Sequence, residues 1–136
     1  MRKKRVMIVD DDKVFLEELK NALVEKDIDV ETVDNGAFVV RVAEEKQPDL
    51  IILDLKMAGK SGFQVADDLK HFIGTANIPV IAMTGFFTEH QHRKFMDSLG
   101  IKDCIVKPFE PEELFLKIDM YAKRHEYFCD QERVVR

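Results

Sequence analysis

This sequence of 136 residues is short of the features that mark several large classes of protein. Cysteine occurs twice, at Cys104 and Cys129, which is too little for a disulfide framework and points to a reducing, cytoplasmic setting. No apolar run approaches the roughly 20 residues that a membrane-crossing helix needs. The basic start, Arg2-Lys3-Lys4-Arg5, passes straight into Val6-Met7-Ile8-Val9 and three aspartates, without the long apolar core or cleavage site of a secretory signal. Positive charge does not dominate either. The net charge of -5 gives the domain no electrostatic footprint for a phosphate backbone, so neither nucleic acid nor a membrane is expected as a direct partner. Nor does a glycine-rich phosphate loop follow the first apolar run, where aspartates would repel phosphates in the absence of a metal.

What is present is the balance of a globular chain. Hydrophobic residues make up 46% and charged residues 35%, enough apolar side chain to fill one core, and the length suits a single domain. No repeat or Gly/Ser linker interrupts residues 5–120. Apolar runs at 6–9, 28–33, 50–53, 79–83 and 104–106 alternate with longer amphipathic segments. The first, third and fourth runs are almost wholly apolar, as strands covered on both faces are, whereas Asp29-Val30-Glu31-Thr32-Val33-Asp34 is more polar and predicts a strand nearer an edge. Helical spacing links Phe15, Leu19, Ala22 and Leu23, then Val39, Val42 and Ala43, then Val65, Leu69 and Phe72. A fourth helix is expected from Thr88 as cap, through Phe95, Met96 and Leu99, to Gly100 as stop. A fifth is expected from Pro111, with Leu114, Phe115, Ile118 and Ala122 inward, and it extends past residue 125. Strict alternation with crossovers of helix length implies α/β architecture: a doubly wound five-stranded parallel sheet, (βα)5, in a three-layer sandwich.

Ligands of such sheets bind beyond the carboxyl ends of the strands. There the runs end in Asp10-Asp11-Asp12, in Asp54, in Thr84-Gly85 and in Lys107-Pro108. Taken singly these are ordinary: a double aspartate serves as a turn or helix cap more often than as a metal site, and Lys-Pro-Phe is usually a turn with an apolar anchor. Taken together they offer clustered carboxylates, a hydroxyl and an amine. Carboxylates crowded in a crevice call for a cation, and Mg2+ prefers oxygen ligands and phosphate. A further carboxylate, Asp54, could act as nucleophile toward phosphorus, with Thr84 and Lys107 stabilising the transferred oxygens. Asp12 reads as a cap of the first helix, and His71, His90 and His92 as surface residues.

The segments Val9-Asp10-Asp11, Leu53-Asp54-Leu55-Lys56-Met57, Gly62, Met83-Thr84-Gly85 and Lys107-Pro108-Phe109 resemble, in order and spacing, the motifs of response-regulator receiver domains over about residues 5–122. The resemblance implies a flavodoxin-like fold and a phosphoacceptor of two-component signalling rather than a turnover enzyme. It makes Asp54 the acceptor, Asp10, Asp11, Asp54 and the Lys56 carbonyl the Mg2+ ligands, and Thr84 and Lys107 the groups that contact the phosphoryl. It implies a cis Lys107-Pro108 bond. A sensor histidine kinase or phosphotransfer protein would supply the phosphoryl group, and residues 88–122 would engage an output partner or a second copy. The expected division is a receiver over residues 1–122 and a helical extension or linker over 123–136, which carries His125, Tyr127 and Cys129.

Two positions depart from the family pattern: Cys104 replaces the usual aromatic switch residue, and Ala58 stands in place of proline. By the same resemblance Lys56 and Phe86 occupy the two positions that flank the phosphoryl group. Two rival readings follow. One is a degenerate receiver that docks partners without phosphorylation. The other is a haloacid-dehalogenase-type phosphohydrolase, whose general acid two residues after the nucleophile would here be Lys56, which cannot play a carboxylate's part.

Overall fold

Runs such as Met7-Ile8-Val9 and Ile51-Ile52-Leu53 have no polar face to give to water, so they are satisfied only in strands covered on both sides. The computed structural model, which describes residues 2–85 and 90–122, places them there. In chain order it has β1 (Arg5–Val9), α1 (Lys13–Glu25), β2 (Asp29–Val33), a 3-10 turn (Gly36–Phe38), α2 (Val39–Lys46), β3 (Leu50–Asp54), α3 (Gly62–His71), β4 (Val80–Thr84), α4 (His90–Ser98), β5 (Ile101–Val106) and α5 (Pro111–Tyr121). All strand pairs are parallel, in the order β2-β1-β3-β4-β5.

Alternate residues of each strand feed opposite cores. Val6, Ile8, Leu50, Ile52, Ile81 and Met83 pack against α1 and α5, through Leu16, Leu19, Leu23, Leu114 and Ile118. Met7, Val9, Ile51, Leu53, Val80 and Ala82 pack against α2, α3 and α4, through Val39, Ala43, Val65, Leu69 and Met96. Each large aliphatic side chain so buried contributes about 1.5–3 kcal/mol. The three layers and the doubly wound sheet expected from the sequence are therefore present, with the polar run at Asp29–Val33 on an edge.

Some boundaries differ. β5 begins at Ile101 rather than at residue 104. Its pairing with β4 slips, Val80 opposing Ile101 while Ile81 opposes Asp103, so one extra residue turns Ile101 to one core and Ile105 to the other. Phe72 does not extend the buried stripe of α3: it caps that helix with extended backbone and is 40% exposed. Phe95 likewise stands half out, its ring 5.4 Å from that of Phe63. α5 opens as expected, with Pro111 in its first turn and a capping box between Glu110 and Glu113, and Ala122 caps its end. Gly100 follows α4 with φ +77°, a conformation that suits its role as a stop. The Thr88 cap, Phe86, and the extension expected over 123–136 lie outside the described residues. No described helix is long and apolar enough to cross a membrane.

Candidate functional site

The order 2-1-3-4-5 puts the topological switch between β1 and β3, and the acidic residues stand there. Asp10 directly follows β1, its backbone N–H donating to Val33 of β2 at 3.1 Å, and its side chain is almost wholly buried. Both of its oxygens are engaged: Oδ1 accepts from the Asp12 backbone N–H at 2.9 Å and Oδ2 from Lys107 Nζ at 2.6 Å. Asp12 caps α1, accepting from the Phe15 N–H at 3.1 Å, as its position before the helix predicts. Asp11 is exposed and reaches across the crevice, where Oδ2 accepts from the Ala58 N–H at 2.9 Å.

Asp54 ends β3 and is 6% exposed. Its Oδ1 accepts from the Lys56 N–H at 3.3 Å, and its Oδ2 lies 3.8 Å from Lys107 Nζ. Gly62, the first residue of α3, makes this placement possible. A Cβ there would come within 2.2 Å of the Asp54 carbonyl oxygen and 2.6 Å of the Leu55 Cα, so only glycine lets the helix start so close to the strand end. Thr84 ends β4, buried, and its carbonyl accepts from the Lys107 N–H at 2.7 Å. Lys107 precedes a cis peptide bond to Pro108, as expected.

One oxygen from each of Asp10, Asp11 and Asp54 falls within 4.8 Å of the others. Burial, reinforced by the Asp10 charge, raises the Asp54 carboxyl from its ordinary 3.8 to about 6, against the opposing pull of the Lys107 ammonium and the Lys56 N–H. At neutral pH it is still mostly ionised. Among the described residues the site thus holds three carboxylates against one ammonium, an excess of negative charge on oxygen ligands alone, and the chemistry of this donor set fits a hard divalent cation.

The residues singled out from the sequence, Asp10, Asp11, Asp54, Thr84 and Lys107, meet at one end of the sheet. Lys56 stands beside them, exposed, with its N–H turned to Asp54. Two features escaped sequence reasoning. One is the Asp11–Ala58 bond, which joins the loops after β1 and β3. The other is Phe15, whose ring lies 4.3 Å under the Lys107 ammonium and meets Phe109 edge-on at 6.1 Å. Helical spacing marks Phe15 only as part of a buried stripe, and no local signal shows which distant residue meets its outer face. His71 is exposed, its Nδ1 2.8 Å from the Asp67 carbonyl oxygen, whereas the side chains of His90 and His92 lie outside the described residues. Cys104 is half-buried, its Sγ 4.0 Å from Met96 Sδ.

Fold and site together define a flavodoxin-like domain with a carboxylate cluster at its switch point. Residues 6–119 match the response regulator receiver domain, and the chain belongs to that family, the receivers of two-component systems. It is 32% identical over 127 residues to the heme response regulator HssR of Staphylococcus epidermidis, a match covering 93% of this chain and 54% of that protein. The chain therefore spans about half the length of the curated relatives it matches. Chemotaxis protein CheY4 of Vibrio cholerae superposes with a TM-score of 0.81 at 24% identity, over 88% of this chain and 98% of that one. The receiver domain of a sensor histidine kinase of Pseudomonas aeruginosa, solved with magnesium coordinated in its active-site cleft, gives 0.78 at 22% identity, over 88% and 98%.

Proposed function

We propose that this domain accepts a phosphoryl group on Asp54 from a sensor histidine kinase or phosphotransfer protein, and that the modified domain controls an output partner through residues 88–122. The observation that carries this reading is the division of labour among the three carboxylates. Asp10 has both oxygens engaged and Asp11 is tied to Ala58, while Asp54 faces the only described lysine ammonium of the crevice at 3.8 Å, short of a tight pair. In transfer, an Asp54 oxygen forms a bond to phosphorus while the bond to the leaving group breaks and its electron pair departs with that group. Lys107 stabilises the charge on the transferred oxygens, and the Thr84 hydroxyl donates to them.

Asp10, Asp11, Asp54 and the Lys56 backbone carbonyl would hold Mg2+, which when bound offsets negative charge on the phosphoryl oxygens. The magnesium described in the Pseudomonas aeruginosa neighbour supports this assignment. The domain acts as a cytoplasmic signalling module over residues 1–122, with 123–136 as extension or linker, and a homodimer on the output face is one way to transmit the change. Direct contact with nucleic acid or membrane is not part of this reading, given the net charge of -5.

The test is intact-mass measurement after incubation with Mg2+ and acetyl phosphate. Wild type is expected to gain one labile, Mg2+-dependent phosphoryl group and Asp54→Asn none. If neither protein is modified and beryllofluoride also fails to bind, the phosphoacceptor reading falls and a docking module replaces it.

A further inference from the structure

An ammonium carries three N–H donors that rotate together, and in water a lysine side chain of this length samples many rotamers. At Lys107 one donor is committed to Asp10 and a second side faces Asp54 beyond hydrogen-bond range. Nζ lies 2.6 Å from Asp10 Oδ2 and 3.8 Å from Asp54 Oδ2. Among the described residues the third side meets no carboxylate but the face of Phe15, 4.3 Å from the ring centroid, inside the range where the ring's negative face attracts a cation. The Lys107 side chain is 25% exposed, so without the ring that side would be open to water. The ring is itself braced: Phe109, two residues after Lys107, meets it edge-on with an interplanar angle of 86°, so α1 and the loop after β5 are clasped by the same pair.

From this geometry we infer that Phe15 is a positioning residue for Lys107: its π face holds the ammonium between Asp10 and Asp54 without taking a hydrogen bond that the transferred phosphoryl group must receive. A carboxylate in that place would compete for the amine, and an aliphatic side chain would exclude water without attracting the charge. The ring attracts and does not compete. Asp10 alone would draw the amine to itself, since its oxygen is more than 1 Å nearer than that of Asp54. The inference rests on the phosphoacceptor reading of Asp54 and assigns a role to a residue outside the carboxylate cluster.

The experiment compares wild type, Phe15→Leu, Phe15→Tyr, and a tetrafluorophenylalanine at position 15, which keeps the ring's shape while weakening its negative face. All are full chains with melting temperatures measured in parallel. The readouts are the rate of phosphorylation by acetyl phosphate at saturating Mg2+ and the NMR shift of the Lys107 ε-methylene, which a ring face moves upfield. Phe15→Leu and the fluorinated ring are expected to react about fivefold more slowly, the scale of a partly desolvated cation–π contact, and Phe15→Tyr within about twofold of wild type. Phe15→Leu should also lose the upfield shift, and Phe15→Tyr should keep it. A fluorinated ring as fast as wild type overturns the inference, as does Phe15→Tyr as slow as Phe15→Leu. A wild type that gains no phosphoryl group overturns the phosphoacceptor reading and this role with it, whereas an active wild type matched by Phe15→Leu overturns the role alone.

Discussion

At the carboxyl ends of β1 and β3 each acidic side chain is held by a named partner, whereas on the flank formed by α4 and β5 side chains of core type stand partly out of the core. Asp10, Asp11, Asp12 and Asp54 all accept backbone N–H groups, from Asp12, Ala58, Phe15 and Lys56 in turn. On the flank, Phe95 is 51% exposed, Cys104 is half-buried, and Arg93, Lys94, Met96 and Cys104 line an open groove. The strand there also carries the one register slip recorded in the sheet. Chemistry on a buried carboxylate needs fixed donors, because a misplaced dipole cannot reorganise cheaply in a low-dielectric crevice. A surface that exchanges partners needs side chains able to repack.

That contrast is broken most severely at Gly62. Alanine there would set a methyl group 2.2 Å from the Asp54 carbonyl oxygen, and the obstacle is backbone, which cannot swing aside like a side chain. Gly62→Ala is expected to cost about 3 kcal/mol in urea unfolding and to lower phosphorylation at least tenfold, by pushing the strand end from Lys107. A loss under about 1 kcal/mol with normal activity would show that the site is less constrained than its geometry implies.

Asp54 itself tests the electrostatic side. Its carboxyl is raised from 3.8 to about 6 in the fold, so the fold favours the protonated form. The resulting stabilisation is fully present below pH 3.8 and is lost as pH rises through about 6. The span corresponds to about 3 kcal/mol as an upper figure, since relaxation and water entry reduce it. In EDTA, Asp54→Asn should therefore be more stable than wild type at pH 7.5, by about 2 kcal/mol, with the gap closing toward pH 4. A gap that persists unchanged at pH 4 would assign the difference to hydrogen bonding rather than to charge.

The same contrast governs what could be read in advance. The central strands and the site residues were legible because each obeys a short-range rule: unbroken apolar runs for β1, β3 and β4, and polar residues at their carboxyl ends. The start of β5 was not, because Lys102 and Asp103 interrupt the apolar pattern and the slip between Ile101 and Asp103 breaks the two-residue period on which strand reading depends. Phe72 misled for the opposite reason, since its spacing continues the α3 stripe although the helix has ended. Gly62 stood in a motif, but the need for glycine is a matter of 2.2 Å between segments that no local pattern encodes. Lys107 was legible as an amine at a strand end, whereas the ring beneath it depends on how α1 lies against the loop after β5.

A smaller effect is expected at Asp103, where the flank is locally well tied. Its carboxylate accepts from Lys117 Nζ at 2.8 Å and from the Tyr121 hydroxyl at 3.1 Å. Although burial opposes ionisation, these donors and the Cys104 N–H together hold the carboxyl below its ordinary value, while burial and the Asp103 carboxylate raise the Tyr121 hydroxyl. A depressed carboxyl stabilises the fold above its ordinary pKa, and that contribution is lost as pH falls through the folded value. Asp103→Asn should thus cost about 1 kcal/mol at pH 7 and less in strong acid, as measured by urea titration at the two pH values. An equal cost at both would make the contribution one of shape.

The smallest effect should come from Cys104→Tyr, and its neighbour supplies the control. Ala82 of β4 pairs directly with Cys104 of β5 and feeds the same core, yet Ala82 has no exposure while Cys104 lines the groove. Enlarging a closed position forces neighbours off their rotamers at about 1–3 kcal/mol, so Ala82→Leu should lose that much. At Cys104 the ring can turn into the groove, with less than about 1 kcal/mol lost and phosphorylation by acetyl phosphate within about twofold of wild type. Binding to an output partner is where Cys104→Tyr should register, because the ring would cover surface between Arg93 and Met96. If the two substitutions prove equally costly, the groove is closed in solution and the α4–β5 flank is packed as tightly as the carboxylate end; if they differ by 1 kcal/mol or more, the looser packing of that flank is a property of the folded domain on its own, before any partner arrives.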